Sequence, residues 1–378
     1  MTVFILALLA LLTWLYLIFA RGGYWLGTER DTDAPAPPPG EWPSVTAVVP
    51  ARNEGDVIGR TVGSLLAQSY PGEFHIVLVD DQSTDGTAEE ARAQDRSGRL
   101  TVIEGTTLPE GWTGKLWALD QGIARATERY KPDYLLLTDA DIAHDADNLQ
   151  RLVARAEAGK YALVTLMAKL TCQTFAEKLL IPAFIYFFQM LYPFSWVNRP
   201  SARMAAGAGG CMLVRATALE AAGGVASVRK EIIDDCALGK RLKMQGPIWL
   251  GLTERARSVR PYADIAEIGR MVSRTAFTQL RYSWVLLSGV VLAMLFVFVL
   301  PPVLAFFSTG TAFLFGAATW ALMTISFLPI LRFYRQSPLW GLALPLIACF
   351  YLAFTIKSAM DHRRGRGGLW KGRAQAMQ

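Results

Sequence analysis

The sequence predicts an α/β domain built on a mostly parallel sheet, with transmembrane helices at both ends of the chain. Three observations carry this expectation. Hydrophobic residues make up 52% of the 378 positions and charged residues 19%, where soluble domains carry about 25% charged residues. The apolar surplus is gathered into uncharged runs near the two ends. Between them, from about 45 to 268, short apolar runs alternate with helical patterns, which is the rhythm of strands joined by crossover helices. At roughly 150 residues per unit the length fits two or three units. Such a composition excludes a disordered or fibrous chain and argues against a simple cytosolic enzyme.

The elements follow in order. Residues 3–20 form an uncharged run, close to the roughly 20 residues needed to cross a bilayer. The start of the chain lacks the positive charge of a cleaved signal peptide, and Arg21 follows the run. An uncleaved anchor at 1–21 is expected, with its amino terminus outside and the chain cytoplasmic thereafter. The segment DTDAPAPPPGEWPS lies within 22–43 and reads as a stiff, proline-rich linker. A catalytic domain is expected at 44–280. Its apolar runs VTAVV, IVLVD, LTVIE, YLLLTD and ALVTLM alternate with helical stretches such as DVIGRTVGSLLAQSY and GKLWALDQGIARATERY. In sheets of this kind ligands bind beyond the carboxyl ends of the strands.

The aromatic run at about 179–197 is also apolar. A crossing there would strand the two halves of the domain on opposite sides, so the expectation is a helix lying in the membrane interface, or dipping in and returning. Within 281–357, three runs at about 284–307, 312–331 and 338–356 are each long enough to span. A basic tail, 358–378, follows. Three crossings after a cytoplasmic domain would put this tail outside, yet it is the most basic segment of the chain. Either one of these segments does not cross, or the charge rule fails.

The net charge of +6 sits largely in RRGRGGLWKGR and reads as membrane-surface or topology charge. A nucleic-acid partner is not expected, because that needs a basic patch on a folded face. Cys172, Cys211, Cys236 and Cys349 form no CxxC pair, which indicates neither a disulfide framework nor a zinc site. His75, His144 and His362 are scattered, and no GxSxG, Walker or GxGxxG pattern occurs. Hydrolase triads and dinucleotide oxidoreductases are thereby disfavoured.

The chemistry-bearing residues fall at strand ends. PARNE, from Pro50 to Glu54, follows the first run, and DDQSTDGT, from Asp80 to Thr87, closes the second. Together they make a polar crevice suited to a nucleobase and ribose. Thr84 or Asp85 can cap a following helix, but the adjacent acids Asp80 and Asp81 repel each other unless a partner stands nearby. YLLLTDAD places Asp139 and Asp141 two apart after a buried strand, where side chains point the same way. Two hard oxygen donors of this kind suit Mg2+ or Mn2+. Asp234 and Asp235 open a helix in EIIDDCALGKRLKMQG. One acid suffices for the helix dipole, which leaves the second for general-base work. Lys115 begins another helix, where its charge opposes the dipole and a phosphate contact would account for it.

Taken together, VVPARNE, VLVDDQSTDGT, TDAD and IIDDCALGKRL stand in the order and approximate spacing of the family 2 glycosyltransferases, which this chain resembles over about residues 44–260. LPEGWTGKLWALDQG, GAGGCMLVRATALEAAGG and the WKGR tail look like the hopene-associated subgroup found with bacterial hopanoid genes, and more distantly like ceramide glucosyltransferases. The resemblance implies a GT-A nucleotide-diphospho-sugar transferase fold in a multi-pass protein of the bacterial inner membrane, its catalytic domain facing the cytoplasm. It also implies a nucleotide-sugar donor and a membrane lipid acceptor of hopanoid type. Pro50, Arg52, Glu54, Asp80 and Asp81 would line the nucleoside pocket, and Asp139 and Asp141 would be the DxD metal motif. Asp235 would be the catalytic base with Asp234 beside it, and Gly209 and Gly210 would shape the acceptor side. Processive members carry QxxRW; here TQLRYSW offers Gln279, Arg281 and Tyr282. That departure weakens a processive synthase and leaves Arg281 as a candidate diphosphate contact. A polyprenyl-phosphate transferase, and a transporter or scaffold with a nucleotide-binding module, are the competing expectations. Oligomeric state is not readable from the sequence.

Overall fold

The computed structural model describes residues 1–32 and 36–365, with the backbone of 369–370 and 373–374. Residues 33–35 of the expected linker, and 366–368, 371–372 and 375–378 of the expected basic tail, lie outside the described residues.

In chain order, α1 (Thr2–Phe19) precedes β1 (Val45–Ala51), α2 (Ile58–Leu66), β2 (Phe74–Asp80), α3 (Thr87–Gln94), β3 (Leu100–Glu104), α4 (Gly114–Tyr130) and β4 (Tyr134–Thr138). Then come β5 (Ile142–His144), α5 (Asn148–Gly159), β6 (Leu163–Lys169), α6 (Phe175–Leu191), α7 (Phe194–Val197), β7 (Cys211–Arg215), α8 (Ala216–Ala221), α9 (Asp234–Lys243) and β8 (Ile248–Ser258). The carboxyl part holds α10 (Ile265–Gln279), α11 (Trp284–Met294), α12 (Leu300–Phe307), α13 (Gly310–Phe333) and α14 (Leu344–Arg363). The chain divides into an α/β unit, principally Glu29–Thr171 and Trp196–Arg260, and a helical unit made of Met1–Thr28, Cys172–Ser195 and Pro261–Gly368.

In the α/β unit the strand order is β3-β2-β1-β4-β7-β6-β8-β5. The first four strands and the β6–β8 pair are parallel. All seven residues of β1 are buried, as expected of a strand covered on both faces. Helix α2 buries Ile58, Thr61, Val62 and Leu65, the i, i+3, i+4, i+7 stripe of an amphipathic helix. Helix α4 presses onto β1 and β2 at Gly122, where a methyl group would lie 2.5 Å from Val48 Cγ1. Only glycine permits that approach.

Two features depart from the expected layout. Strand β7 runs antiparallel between β4 and β6: it enters the sheet after the excursion through α6 and α7, and it arrives from the opposite direction. Its register pairs Cys211 with Thr138, which carries Gly209 and Gly210 to the end of β4. Residues 29–31, expected as linker, instead join β8, with Arg30 bridged to Leu252 and the Asp31 amide donating to the Leu252 carbonyl at 3.0 Å. That segment takes up backbone groups β8 would otherwise leave open.

In the helical unit, α6 occupies much of the expected aromatic run. It starts with a capping box formed by Thr174 and Glu177 and contains Pro182. The helical unit also includes α10, which the expected boundaries of the catalytic domain, 44–280, had enclosed. Among the described residues, four helices are long and apolar enough to cross a membrane: Thr2–Phe19, Trp284–Phe307, Gly310–Phe333 and Pro338–Arg363. The second contains a π-helical segment at Leu295–Val299.

Candidate active site

The carboxyl ends of β1 and β4, the start of β7 and the amino ends of α4 and α9 meet at an open cleft. Its polar lining is Lys115, Asp139, Asp234 and Asp235, with Pro50 and Gly209 beside them and an apolar wall that includes Met212 and Leu238.

Lys115 is the hinge of the charge arrangement. Its Nζ lies 2.8 Å from Asp139 Oδ1 and 3.5 Å from Asp234 Oδ2, so one ammonium ties the acids after β4 to the acids that open α9. Burial alone would depress this lysine, but the carboxylates of Asp139 and Asp234 outweigh it and hold the group well above its ordinary range. Thr113 caps α4 by accepting the Leu116 amide and so sets the turn that carries Lys115. Gly209 lies against the lysine, since a methyl group there would come 3.1 Å from Nζ.

Asp235 stands on the same cleft with its carboxylate accepting the amides of Gly209 at 3.0 Å and Cys236 at 2.7 Å. Burial, reinforced by the neighbouring Asp234 charge, pushes its carboxyl up to about 6, with Lys115 opposing. A carboxyl in that range is ionised at neutral pH and remains a stronger base than an ordinary aspartate.

Asp141 sits apart from the cleft lining. Its Oδ2 accepts from Ser258 Oγ at 3.3 Å and lies 3.6 Å from Arg260 Nε. Burial and the adjacent Asp139 charge raise its carboxyl, with Arg260 opposing. The expectation that both carboxylates face one ion therefore divides: Asp139 turns to Lys115 and Asp141 to Arg260. Among the described residues no group of three or more His, Cys, Asp or Glu side chains is arranged to hold a metal. Two hard carboxylates nonetheless fit Mg2+ or Mn2+, which ordinarily complete their shells with water and substrate phosphate.

Beside the cleft, Arg52 answers the puzzle of the first acidic doublet. Its Nη1 lies 3.7 Å from Asp81 Oδ2 and donates to the Asp81 carbonyl oxygen at 2.5 Å. Asp80 Oδ1 accepts the Ser83 amide at 3.1 Å. Asp85 accepts the amides of Gly55 and Thr87 at 2.9 and 3.2 Å, which ties the PARNE and DDQSTDGT segments into one loop pair. Glu54 is held by Arg260, which also reaches to 3.7 Å from Asp56.

Of the residues expected at the site, Pro50, Lys115, Asp139, Gly209, Asp234 and Asp235 share the cleft, while Arg52, Glu54, Asp80 and Asp81 form the adjoining loop pair. Gly210 faces Ala168 and Ile142, and its carbonyl accepts from Thr138 Oγ1 at 2.7 Å; it shapes the core beneath the cleft. Arg281 belongs to the helical unit, in the turn between α10 and α11. Arg260 and Ser258 were missed, although both stand at the carboxyl end of β8, where inspection of every strand end would have found them.

Comparisons with known proteins bear on the class of this α/β unit. Residues 46–222 match the profile of Glycosyl transferase family 2. Over 101 residues the chain is 36% identical to the 4,4'-diaponeurosporenoate glycosyltransferase of Staphylococcus aureus, covering 26% of this chain and 24% of that protein. Over 114 residues it is 35% identical to the beta-monoglucosyldiacylglycerol synthase of Synechocystis, covering 30% of this chain and 22% of that protein. The matched segments thus span about a quarter of these relatives' lengths. A solved structure of the mannosyltransferase PcManGT from Pyrobaculum calidifontis, in complex with GDP-Man and Mn2+, aligns over 95% of this chain and 99% of its own, with a TM-score of 0.60 and 20% identity. The α/β unit has the GT-A-like fold, with its mostly parallel curled sheet.

Proposed function

We propose that the protein transfers a sugar from a nucleotide-diphosphate donor to the hydroxyl of a membrane lipid, with inversion at the anomeric carbon. The observation that carries this reading is the single ammonium of Lys115 set between Asp139 and the Asp234–Asp235 pair. It supports reading Asp139 as the donor-binding acid and Asp235 as the base, with a fixed positive charge between them. Asp235 takes the proton from the acceptor hydroxyl, and the oxygen attacks the anomeric carbon. The bond from that carbon to the diphosphate oxygen breaks, and the nucleoside diphosphate departs beside Lys115. Fixed charges aimed at developing charge are usually the largest single contribution to such rate enhancement. Asp139 and Asp141 would hold a divalent cation, whose contribution is to neutralise diphosphate charge.

The acceptor follows from the apolar helices and from the company the chain keeps. One relative is by name a diacylglycerol-lipid synthase, and the resemblance to hopene-associated transferases favours a hopanoid-type alcohol. The donor and cation are supported by PcManGT, whose structure holds GDP-Man and Mn2+. We place the protein in the bacterial inner membrane with its α/β unit facing the cytoplasm, where nucleotide sugars are made. The test is mass spectrometry of lipids after incubating the full chain in membranes with a panel of nucleotide sugars and Mg2+ or Mn2+. A new glycolipid that depends on Asp235 supports the reading; extension to a polymer, or absence of any glycosylated lipid across the panel, overturns it.

A further inference from the structure

We propose that α14, although long and apolar enough to span a bilayer, does not cross it. It dips in and returns to the face from which the chain leaves for the α/β unit, and with α10 it rests on anionic lipid headgroups of that leaflet. The proposal uses the helical unit alone and rests on the membrane placement above, not on the chemistry.

Three helices establish the two faces. The ring of Phe4 lies 5.7 Å from that of Phe315, Ala7 clusters with Leu304 and Ala312, and Trp14 Nε1 donates to the Val297 carbonyl at 2.8 Å. Helices α1 and α13 therefore run one way and α11–α12 runs the other. One end of this array carries Arg21, Arg281, Arg332 and Arg335, whereas the opposite end, at residues 1–3 and 305–312, has no lysine or arginine. The chain leaves for the α/β unit at the basic end. Ser195 Oγ donates to the Gly22 carbonyl at 2.6 Å, Gln336 Nε2 to the Cys172 carbonyl at 3.5 Å, and the Tyr262 amide to Glu177 at 2.8 Å.

Helix α13 finishes at the basic end, so α14 sets out from there. The 3-10 turn at Pro338–Ala343 first folds back along α13, where Trp320 Nε1 donates to the Leu342 carbonyl at 3.2 Å and Thr324 Oγ1 to the Gly341 carbonyl at 3.4 Å. Non-helical backbone at membrane depth needs such protein partners. From that point α14 runs parallel to α10. Ser273 Oγ donates to the Phe354 carbonyl at 3.2 Å, and the Phe277 amide to Ser358 Oγ at 3.1 Å. His362 finally stacks on Tyr282 at 4.4 Å, two residues before α11 begins. A full crossing would end about 30 Å away; α14 ends beside the start of α11 instead. Parity then puts the carboxyl end on the basic face, which removes the conflict between three crossings and a basic tail.

The partner is set by charge. Arg270, Arg274, Arg281, Arg363 and Arg364 are exposed, and no ion pair to a carboxylate holds any of them among the described residues. The nearest acid on α14, Asp361, is taken by Lys357. Rows of uncompensated arginine beside a membrane attract anionic headgroups.

The test uses the full chain, tagged before Met1 and after Gln378, in sealed vesicles of known sidedness treated with protease. The expected result is loss of the tag after Gln378 together with the α/β segments, and protection of the tag before Met1. Survival of the tag after Gln378 while the α/β segments are digested overturns the proposal. If the α/β segments and the tag after Gln378 both survive and the tag before Met1 is lost, the cytoplasmic placement fails and the re-entrant helix is supported. Hydrogen exchange in nanodiscs reads the headgroup contact. Exchange at the carboxyl ends of α10 and α14 is expected to slow when phosphatidylglycerol replaces part of the phosphatidylcholine, and this slowing to vanish when Arg270, Arg274, Arg363 and Arg364 are all changed to Gln. Equal exchange in both lipids overturns the headgroup contact.

Discussion

Two pairs of adjacent aspartates stand at the ends of secondary-structure elements in the α/β unit, and the fold treats them oppositely. Asp80–Asp81 closes β2 and meets Arg52, which bonds the Asp81 backbone and lies beside its fully buried carboxylate. Asp234–Asp235 opens α9 and shares the ammonium of Lys115 with a third acid, Asp139. The first pair has a guanidinium to itself. The second has to divide one cation, and Asp235 keeps a proton affinity near neutrality. Identical dipeptides thus come to differ in charge environment through the partners that the fold brings to them.

The sharpest test of this contrast exchanges one carboxylate for an amide in each pair. Asp235→Asn is expected to lower kcat by about 10³-fold, within the range for general-base removal, while donor Kd measured by calorimetry stays nearly unchanged. Asp81→Asn is expected to weaken donor binding instead, and a matching kcat loss in both variants would break the comparison. Lys115→Met removes the shared charge and is expected to cost about 10²-fold in kcat/KM, in line with loss of one stabilising group. Steady-state kinetics on membranes would read it, and an unchanged rate would show that the lysine only neutralises its neighbours.

The pH dependence sharpens the contrast further but needs a control. His144 is buried between Thr138 and Asn148, and burial pushes it down to about 4. Its folded value lies below the unfolded one of about 6.5, so the unfolded chain binds the extra proton and stability is lost as pH falls from about 6.5 towards 4. The loss approaches roughly 3 kcal/mol at the acid limit, and His144→Gln is expected to flatten it in chemical denaturation curves taken between those values. With folding accounted for, the rate of transfer is expected to fall about tenfold per pH unit below about 6, as Asp235 takes up its proton. A pH–rate profile flat down to pH 4 would refute Asp235 as the base.

Much of the scaffold was legible in the sequence. The apolar runs marked β1, β2, β4 and β6, because a strand covered on both faces reads as a nearly unbroken hydrophobic stretch, and LTVIE marked the edge strand β3 as well. The acids at their ends were legible for the same reason, since the end of a run is also the rim of the sheet. The direction of β7 was not, because CMLVR has the same local pattern whichever way it enters the sheet, and only the long detour before it reverses its sense. The partners of Lys115 were equally hidden: Asp139 and Asp234 lie far apart in the chain, and no local spacing records that they meet. Arg260 escaped because the long, partly polar β8 was not marked as a strand, and so its end was never searched. The return of α14 was foreshadowed only as a contradiction between hydropathy and charge.

One consequence remains in the loop before β7. A methyl group on Gly207 would lie 2.6 Å from the Asp235 carbonyl oxygen, and one on Gly239 would lie 2.9 Å from the Ala206 backbone. The 206–210 loop and the first turns of α9 are therefore clamped together like two plates bolted face to face. On the proposed reading an acceptor alcohol would meet a wall already formed there, and it would have to fit that wall as it stands.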